Sequence, residues 1–279
     1  MGQTRAKMAA LAAIGSVDTS ASTVIALAGP DGTGKTTMAW AITEALTGSH
    51  HHRLQIQGRR LQRAADVEHE LNLSAHDNPN DTTLFQDMPA LLRRHEGPLV
   101  IQLQDLDAIA PEALEALARE LGPLVVGGQM SPRLDAAPRP VVLLTTGSDA
   151  STAKKFVDLC HAQRPDGAKP RRSTARFGEL SLRDLRTIAR RDFTEYLGDH
   201  PAKIDDAVFD HLAMLAKRQP NSAEALKRAT RRLVAEIWDN DLKSLEVDPR
   251  PLEGGSLVAA DFAFCEDGIS LELGLRSRR

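Results

Sequence analysis

The stretch GPDGTGKTT, residues 29–37, constrains this chain more than any other. It follows an apolar run, STVIALA (22–28), and leads into a helical one, MAWAITEALTG (38–48). Gly29, Gly34, Lys35 and Thr36 fit G-x-x-x-x-G-K-[ST] between a buried strand and a helix, the setting in which such a loop holds nucleotide phosphates. Glycines let backbone N–H groups curl toward phosphate oxygens, and the N-terminus of the following helix adds its dipole. Lys35 is expected to neutralise the β and γ phosphates of ATP, and the Thr36 hydroxyl to bind Mg²⁺. The expected contacts of ATP or ADP are Gly29, Pro30, Asp31, Gly32, Thr33, Gly34, Lys35, Thr36 and Thr37. The motif points to binding and leaves the reaction open.

Strand patterns recur after this loop: RLQIQG (53–58), PLVIQLQD (98–105) and VVLLTTG (141–147). Helical patterns lie between them, over 36–47, 60–73, TLFQDMPALLRRH (83–95) and a run opened by Pro111. SAHDNPND (74–81) and SPRLDAAPRP (131–140) read as loops. Strands alternating with helices predict an α/β fold, a parallel sheet sandwiched by helices. After a basic, irregular stretch at 164–178 the character changes. Residues 181–197, 204–219 and 222–239 have helical periodicity, and LVAADFAF and ISLELGL, joined by CEDG, predict a hairpin. The expected division is an α/β domain over 1–178 and a small helical lid with a C-terminal β tail over 179–279.

Composition narrows the setting. A net charge of −3 gives no general pull toward nucleic acid or anionic membrane. Cys160 and Cys265 stand far apart without ligand-spaced partners, which argues against disulfides and zinc and for a reducing cytosol. No apolar run approaches membrane-spanning length, and the segment MGQTRAKMAALAAIGSV is expected to form a first helix packed on the core. The run HHH at 50–52 lacks metal-site spacing, and Trp40 and Trp238 are expected to pack internally, with anchoring of a partner the alternative for Trp238.

Residues 24–48 resemble the start of the large domain of AAA+ ATPases, with Clp-type unfoldases and disaggregases the most similar. The resemblance runs over about 22–240: GPLVIQLQDLDAIAPEALEALARELG is similar to the Walker B strand and its helix, RPVVLLTTGSDAS to the first-sensor strand, and ELSLRDLRTIARRDF and NSAEALKRATRRL to the lid. It implies an ATP–Mg²⁺ site in a cleft between α/β domain and lid, and rings of six.

The departures from that pattern matter as much. The family's Walker B Asp-Glu pair falls on Gln104 and Asp105. A neutral Gln cannot hold a Mg²⁺ shell as a carboxylate does, and Asp105 is one methylene short for positioning the attacking water. A one-residue slip would make Asp105 the Mg²⁺ partner and leave Leu106 where the base belongs. The first sensor maps to Thr146-Gly147; Gly147 has no side chain, leaving Thr146 or Thr145 as a weak substitute beside Asp105 in the catalytic set. Glu224 falls where the second-sensor arginine belongs; Arg228, one turn later, either takes its place or joins Lys227, Arg231 and Arg232 in a solvated basic face. The arginine finger falls near Arg171 or Arg172, where a basic loop is the alternative. The interval LNLSAHDNPNDTTLF offers no Tyr or Trp, and its Phe85 falls in the next helical run, so an aromatic grip of the unfoldase kind is not expected.

Three functions compete. The first is an ATP-binding AAA+ module with weak or absent hydrolysis, working through nucleotide-dependent conformation, self-association or a protein partner. The second is an active remodelling ATPase in which Asp105 and Thr146 compensate. The third is a nucleotide or small-molecule kinase, but the Asp-Arg-aromatic signature of thymidylate-type kinases is missing. The basic segment 164–176 lacks interleaved aromatics, which argues against nucleic acid.

Overall fold

The computed structural model describes residues 3–17, 22–48, 53–76, 99–126, 140–163, 167, 169–219 and 221–239, with strands over 244–247, 262–265, 268–271 and 275–278. Two compact units divide the chain: residues 3–30 and 34–178 form one, and 179–279, with loop residues 31–33, the other.

In the first unit, β1 (Thr23–Ala28) has no polar face, and every residue of it is buried. Such a strand needs neighbours on both edges and cover on both faces. β4 (Val141–Thr146) pairs with it in parallel from Thr23↔Val141 to Ala28↔Thr146, and β5 (Arg171–Arg176) runs parallel along its other edge. β3 (Val100–Gln104) joins β4, and β2 (Arg53–Gln57) joins β3, giving the order β2-β3-β4-β1-β5. Ile25, Leu27, Val100 and Leu143 face α1 (Thr4–Gly15) and α2 (Lys35–Thr47). Ala26, Ile101, Leu103 and Leu144 face α3 (Ala64–His76), α4 (Pro111–Val126) and α5 (Ser151–Gln163). The expected helix–sheet–helix sandwich is present.

α1 packs on the sheet as expected, through Ala6, Ala10 and Ala13 at i, i+4 and i+7. Its start is pinned by Gln3, whose amide donates to Gly178 O (2.5 Å) and accepts from Gly178 N (3.0 Å). Other expectations need correction. Arg171–Arg176 lies in the stretch read as irregular and is instead the edge strand β5, held by backbone pairing to β1 while only Ala175 is buried. The helix opened by Pro111, read from the sequence over EALEALARELG, continues as α4 past Gly122 and includes Pro123. Trp40 and Trp238 are not core residues: they are 44% and 53% exposed. The runs HHH (50–52) and TLFQDMPALLRRH, and most of both expected loops, lie outside the described residues.

In the second unit, α6 (Leu182–Leu197), α7 (Asp206–Lys217) and α8 (Ser222–Asp239) close around Leu185, Phe193, Leu212, Leu226 and Leu233. Ser181 and Asp184 form a capping box at the start of α6, and Asp205 caps α7 by accepting from Ala207 N. Arg186 and Arg190 of α6 pair with Asp206 of α7. A short strand β6 (Lys203–Ile204) pairs in parallel with β7 (Ser244–Val247); β8 (Phe262–Cys265) and β9 (Gly268–Leu271) form the expected hairpin; β10 (Leu275–Arg278) pairs antiparallel with β7.

Candidate nucleotide site

The loop between β1 and α2 starts at Gly29, whose N–H donates to Gly147 O (2.9 Å) and Thr146 O (3.3 Å). A Cβ at Gly29 would lie 2.5 Å from Phe177 O, so the chain leaving β5 passes directly against it. Gly32 and Gly34 have φ of 72° and 96°, the left-handed region that glycine enters without penalty. Lys35 is the first residue of α2 and is buried, with Nζ donating to Gly29 O (2.6 Å) and Pro30 O (2.9 Å). The first turn of α2 has no acidic residue and its N-cap makes no side-chain bond, so the positive end of the helix dipole stands at the loop. Asp31, Thr36 and Thr37 are exposed, and Thr33 is buried.

β3 delivers the next residues. Val100, Gln102 and Gln104 alternate onto one face, and Val100 packs in the core cluster that holds Ala39 and Ile42 of α2. The Gln102 amide donates to Thr43 Oγ1 (2.6 Å) and Ala39 O (3.2 Å), tying β3 to the helix that follows the loop. Gln104 ends the strand, and its amide nitrogen is buried with no acceptor among the described residues. Asp105 follows at φ 50°, ψ 52°, a left-handed conformation that Asp tolerates better than most non-glycine residues. Its N–H donates to Thr145 Oγ1 (3.0 Å), and its carboxylate pairs with Arg59 Nε at 2.7 Å. The strand therefore ends in an amide and an ion-paired carboxylate.

At the end of β4, Thr145 and Thr146 are buried. The Thr146 hydroxyl donates within its own turn, to Asp149 O (3.3 Å). The Asp149 carboxylate lies below the usual range because Ser151 hydrogen-bonds it at the start of α5. Gly147 N donates to Asp107 Oδ1 (3.1 Å).

The structure thus brings the loop, Asp105 and Thr146 to one end of the first unit's sheet. The finger candidates stand on β5 and are engaged: Arg171 donates to Ser16 O (2.8 Å), and Arg172 pairs with Asp158 (3.0 Å). Arg228 and Glu224 are exposed on α8 of the second unit. Sequence reasoning missed Arg59 and Gln102, and read Asp107 as no more than a helix-start or strand-end carboxylate. Gln102 had a signal, a polar residue inside VIQLQ whose buried amide needs partners. Arg59 and Asp107 had none, because their partners come from neighbouring strands. Among the described residues no group of three or more His, Cys, Asp or Glu is placed to hold a metal ion, and no helix is long and apolar enough to cross a membrane.

Residues 25–155 match the family described as "ATPase family associated with various cellular activities (AAA)". That span takes in β1, the phosphate loop, β3 and β4. Two solved structures similar in fold are mutants of Thermotoga maritima RuvB. A proline-to-glycine mutant matches 88% of this chain at 16% identity and TM-score 0.51, and a lysine-to-arginine mutant 87% at 17% and 0.48. The chain spans 66% and 64% of their lengths. No curated protein sequence matches. Loop, sheet order and family match converge on one statement: residues 25–155 match an AAA ATPase domain.

Proposed function

We propose that the chain binds ATP, with Mg²⁺, on residues 29–37, hydrolyses it slowly or not at all, and acts through nucleotide-dependent conformation or assembly. The carrying observation is the loop: a buried Lys35, glycines at positive φ, and a helix start with no side-chain cap and no acidic residue in its first turn. Reduced hydrolysis is inferred from the ends of β3 and β4. Whichever way the Gln104 amide is turned, it offers at most a neutral oxygen. Asp105 is the one carboxylate that ends β3, and Arg59 holds it. Gly147 has no side chain with which to orient water.

The donors fit a Mg²⁺ that arrives with the phosphates and keeps its waters, since that ion takes only one or two protein oxygens in such sites. Thr36, exposed in the first turn of α2, would hold it, and Asp105 is the second ligand assigned. The ion supplies neutralisation of phosphate charge. Clp-type ancestry rests on the segment resemblances over 22–240. Self-association, a role for Arg228 as second sensor and a finger role for Arg171 or Arg172 are carried with it; the last needs a conformation in which Ser16 and Asp158 release these arginines.

The active-ATPase reading keeps one supporting observation. Thr145 fixes the Asp105 backbone from the neighbouring strand, so the carboxylate would be well placed once Arg59 let go. The direct test of the binding site is titration with ATP–Mg²⁺. Wild type is expected to bind and Lys35→Ala to lose binding; equal affinity in both would mean that the nucleotide sits elsewhere.

A further inference from the structure

Asp107 has no role in the reading above, yet it sits at the start of a chain of hydrogen bonds that ends on the phosphate-loop lysine. Its Oδ1 accepts from Gly147 N (3.1 Å). Gly147 O accepts from Gly29 N (2.9 Å), the first peptide of the loop. Gly29 O accepts from Lys35 Nζ (2.6 Å). Each link uses a different group, so a shift at one end reaches the other through the backbones of two residues, Gly147 and Gly29.

The platform under Asp107 is firm. It occupies a short 3₁₀ turn, Leu106–Ala108, with Leu106 and Ile109 buried on either side of it. Ala108 N donates to Asp105 O (2.9 Å) and Ile109 N to Leu106 O (3.3 Å). Ala110 N is held by Leu61 O (3.1 Å) and Gln62 donates to Ala108 O (3.1 Å). Residue 147 is matched to this carboxylate: a Cβ there would lie 2.8 Å from Asp107 Oδ2. The space that a side chain at the end of β4 would fill is taken by Asp107, supplied from the end of β3.

We infer that Asp107 is a positioning residue of the nucleotide site, acting through the backbone of Gly147 to set the start of the phosphate loop, and that glycine is required at 147 to admit it. This rests on the nucleotide-binding reading. Because the relay sets the loop backbone and the end of its lysine that meets the β phosphate, it acts on contacts common to ATP and ADP.

The experiment is titration of the full chain with fluorescent ATP and ADP analogues, each variant's fold being checked by circular dichroism. Asp107→Ala is expected to weaken both nucleotides alike, by about threefold to tenfold, the scale of one ordinary hydrogen bond lost. Asp107→Asn, which keeps the acceptor, is expected to recover most of that affinity. Gly147→Ala is expected to weaken both nucleotides by a similar factor, and to add less than about twofold when combined with Asp107→Ala, because the two changes break one link. Wild-type affinity in Asp107→Ala, losses that multiply in the double variant, or a loss confined to ATP would each overturn the relay. If Asp107→Ala does not fold, Gly147→Ala alone decides: normal binding overturns the proposal. A wild-type protein that binds neither nucleotide overturns the underlying binding reading instead, so the two failures are distinct.

Discussion

Gly29 has no side chain because Phe177 O occupies the place where one would start. Gly29→Ala is therefore expected to force the loop and the chain after β5 apart, at a cost of about 1–3 kcal/mol, visible as a lower melting temperature and weaker ATP binding. Cys160 behaves as core: it is fully buried, and burial pushes its thiol up to about 12. In a Cys265→Ser protein at about pH 8, no thiol is expected to react with an aromatic disulfide reagent until denaturant is added. A fast-reacting thiol in the folded protein would contradict that burial. At this scale the loop was legible because its chemistry is local: glycines, lysine and threonine at fixed spacing carry their own meaning. Arg59 and Asp107 were not, because the Arg59–Asp105 pair and the Asp107–Gly147 bond join residues 46 and 40 positions apart that only strand pairing brings together.

Elements show the same division. The helices of the second unit were readable from their apolar periodicity, and their ends carry ordinary caps. Ser181→Ala removes the acceptor for Asp184 N and is expected to destabilise the second unit by about 1 kcal/mol, measurable in thermal melts. His211 on α7 is half-buried, and burial, then the nearby Arg218, lowers its pKa from the ordinary 6.5. The unfolded chain thus binds this proton more readily than the folded one, so stability should fall as pH drops through about 6.5. Between about pH 7.5 and pH 5.5 the second unit's melting temperature is expected to fall less in His211→Gln than in wild type; equal slopes would show that His211 does not titrate differently on folding. β5 escaped the sequence reading for a physical reason. An edge strand needs only one buried position and one paired edge, and Arg171, Arg172 and Arg176 leave no apolar alternation to detect. The first-unit core strands escaped no one's notice, since buried on both faces they read as continuous apolar runs.

For the whole molecule, the parallel sheet with helices on both faces followed from the order of strand and helix patterns, and residues 25–155 within it match an AAA ATPase domain. The residues that decide whether such a domain turns over its nucleotide sit at the ends of β3 and β4. There the chain presents Gln104, an Asp105 held by Arg59, and a side-chain-free Gly147. If occupancy of the loop acts through assembly, the mass in solution should rise on adding ATP–Mg²⁺ to wild type and stay unchanged for Lys35→Ala. The decisive measurement is steady-state phosphate release at saturating ATP–Mg²⁺, run on samples in which binding has been demonstrated. Release by wild type is expected to be indistinguishable from that of Lys35→Ala; turnover in the ordinary enzyme range of ~1–100 s⁻¹, lost in Lys35→Ala, would contradict a site built to hold its nucleotide rather than cleave it.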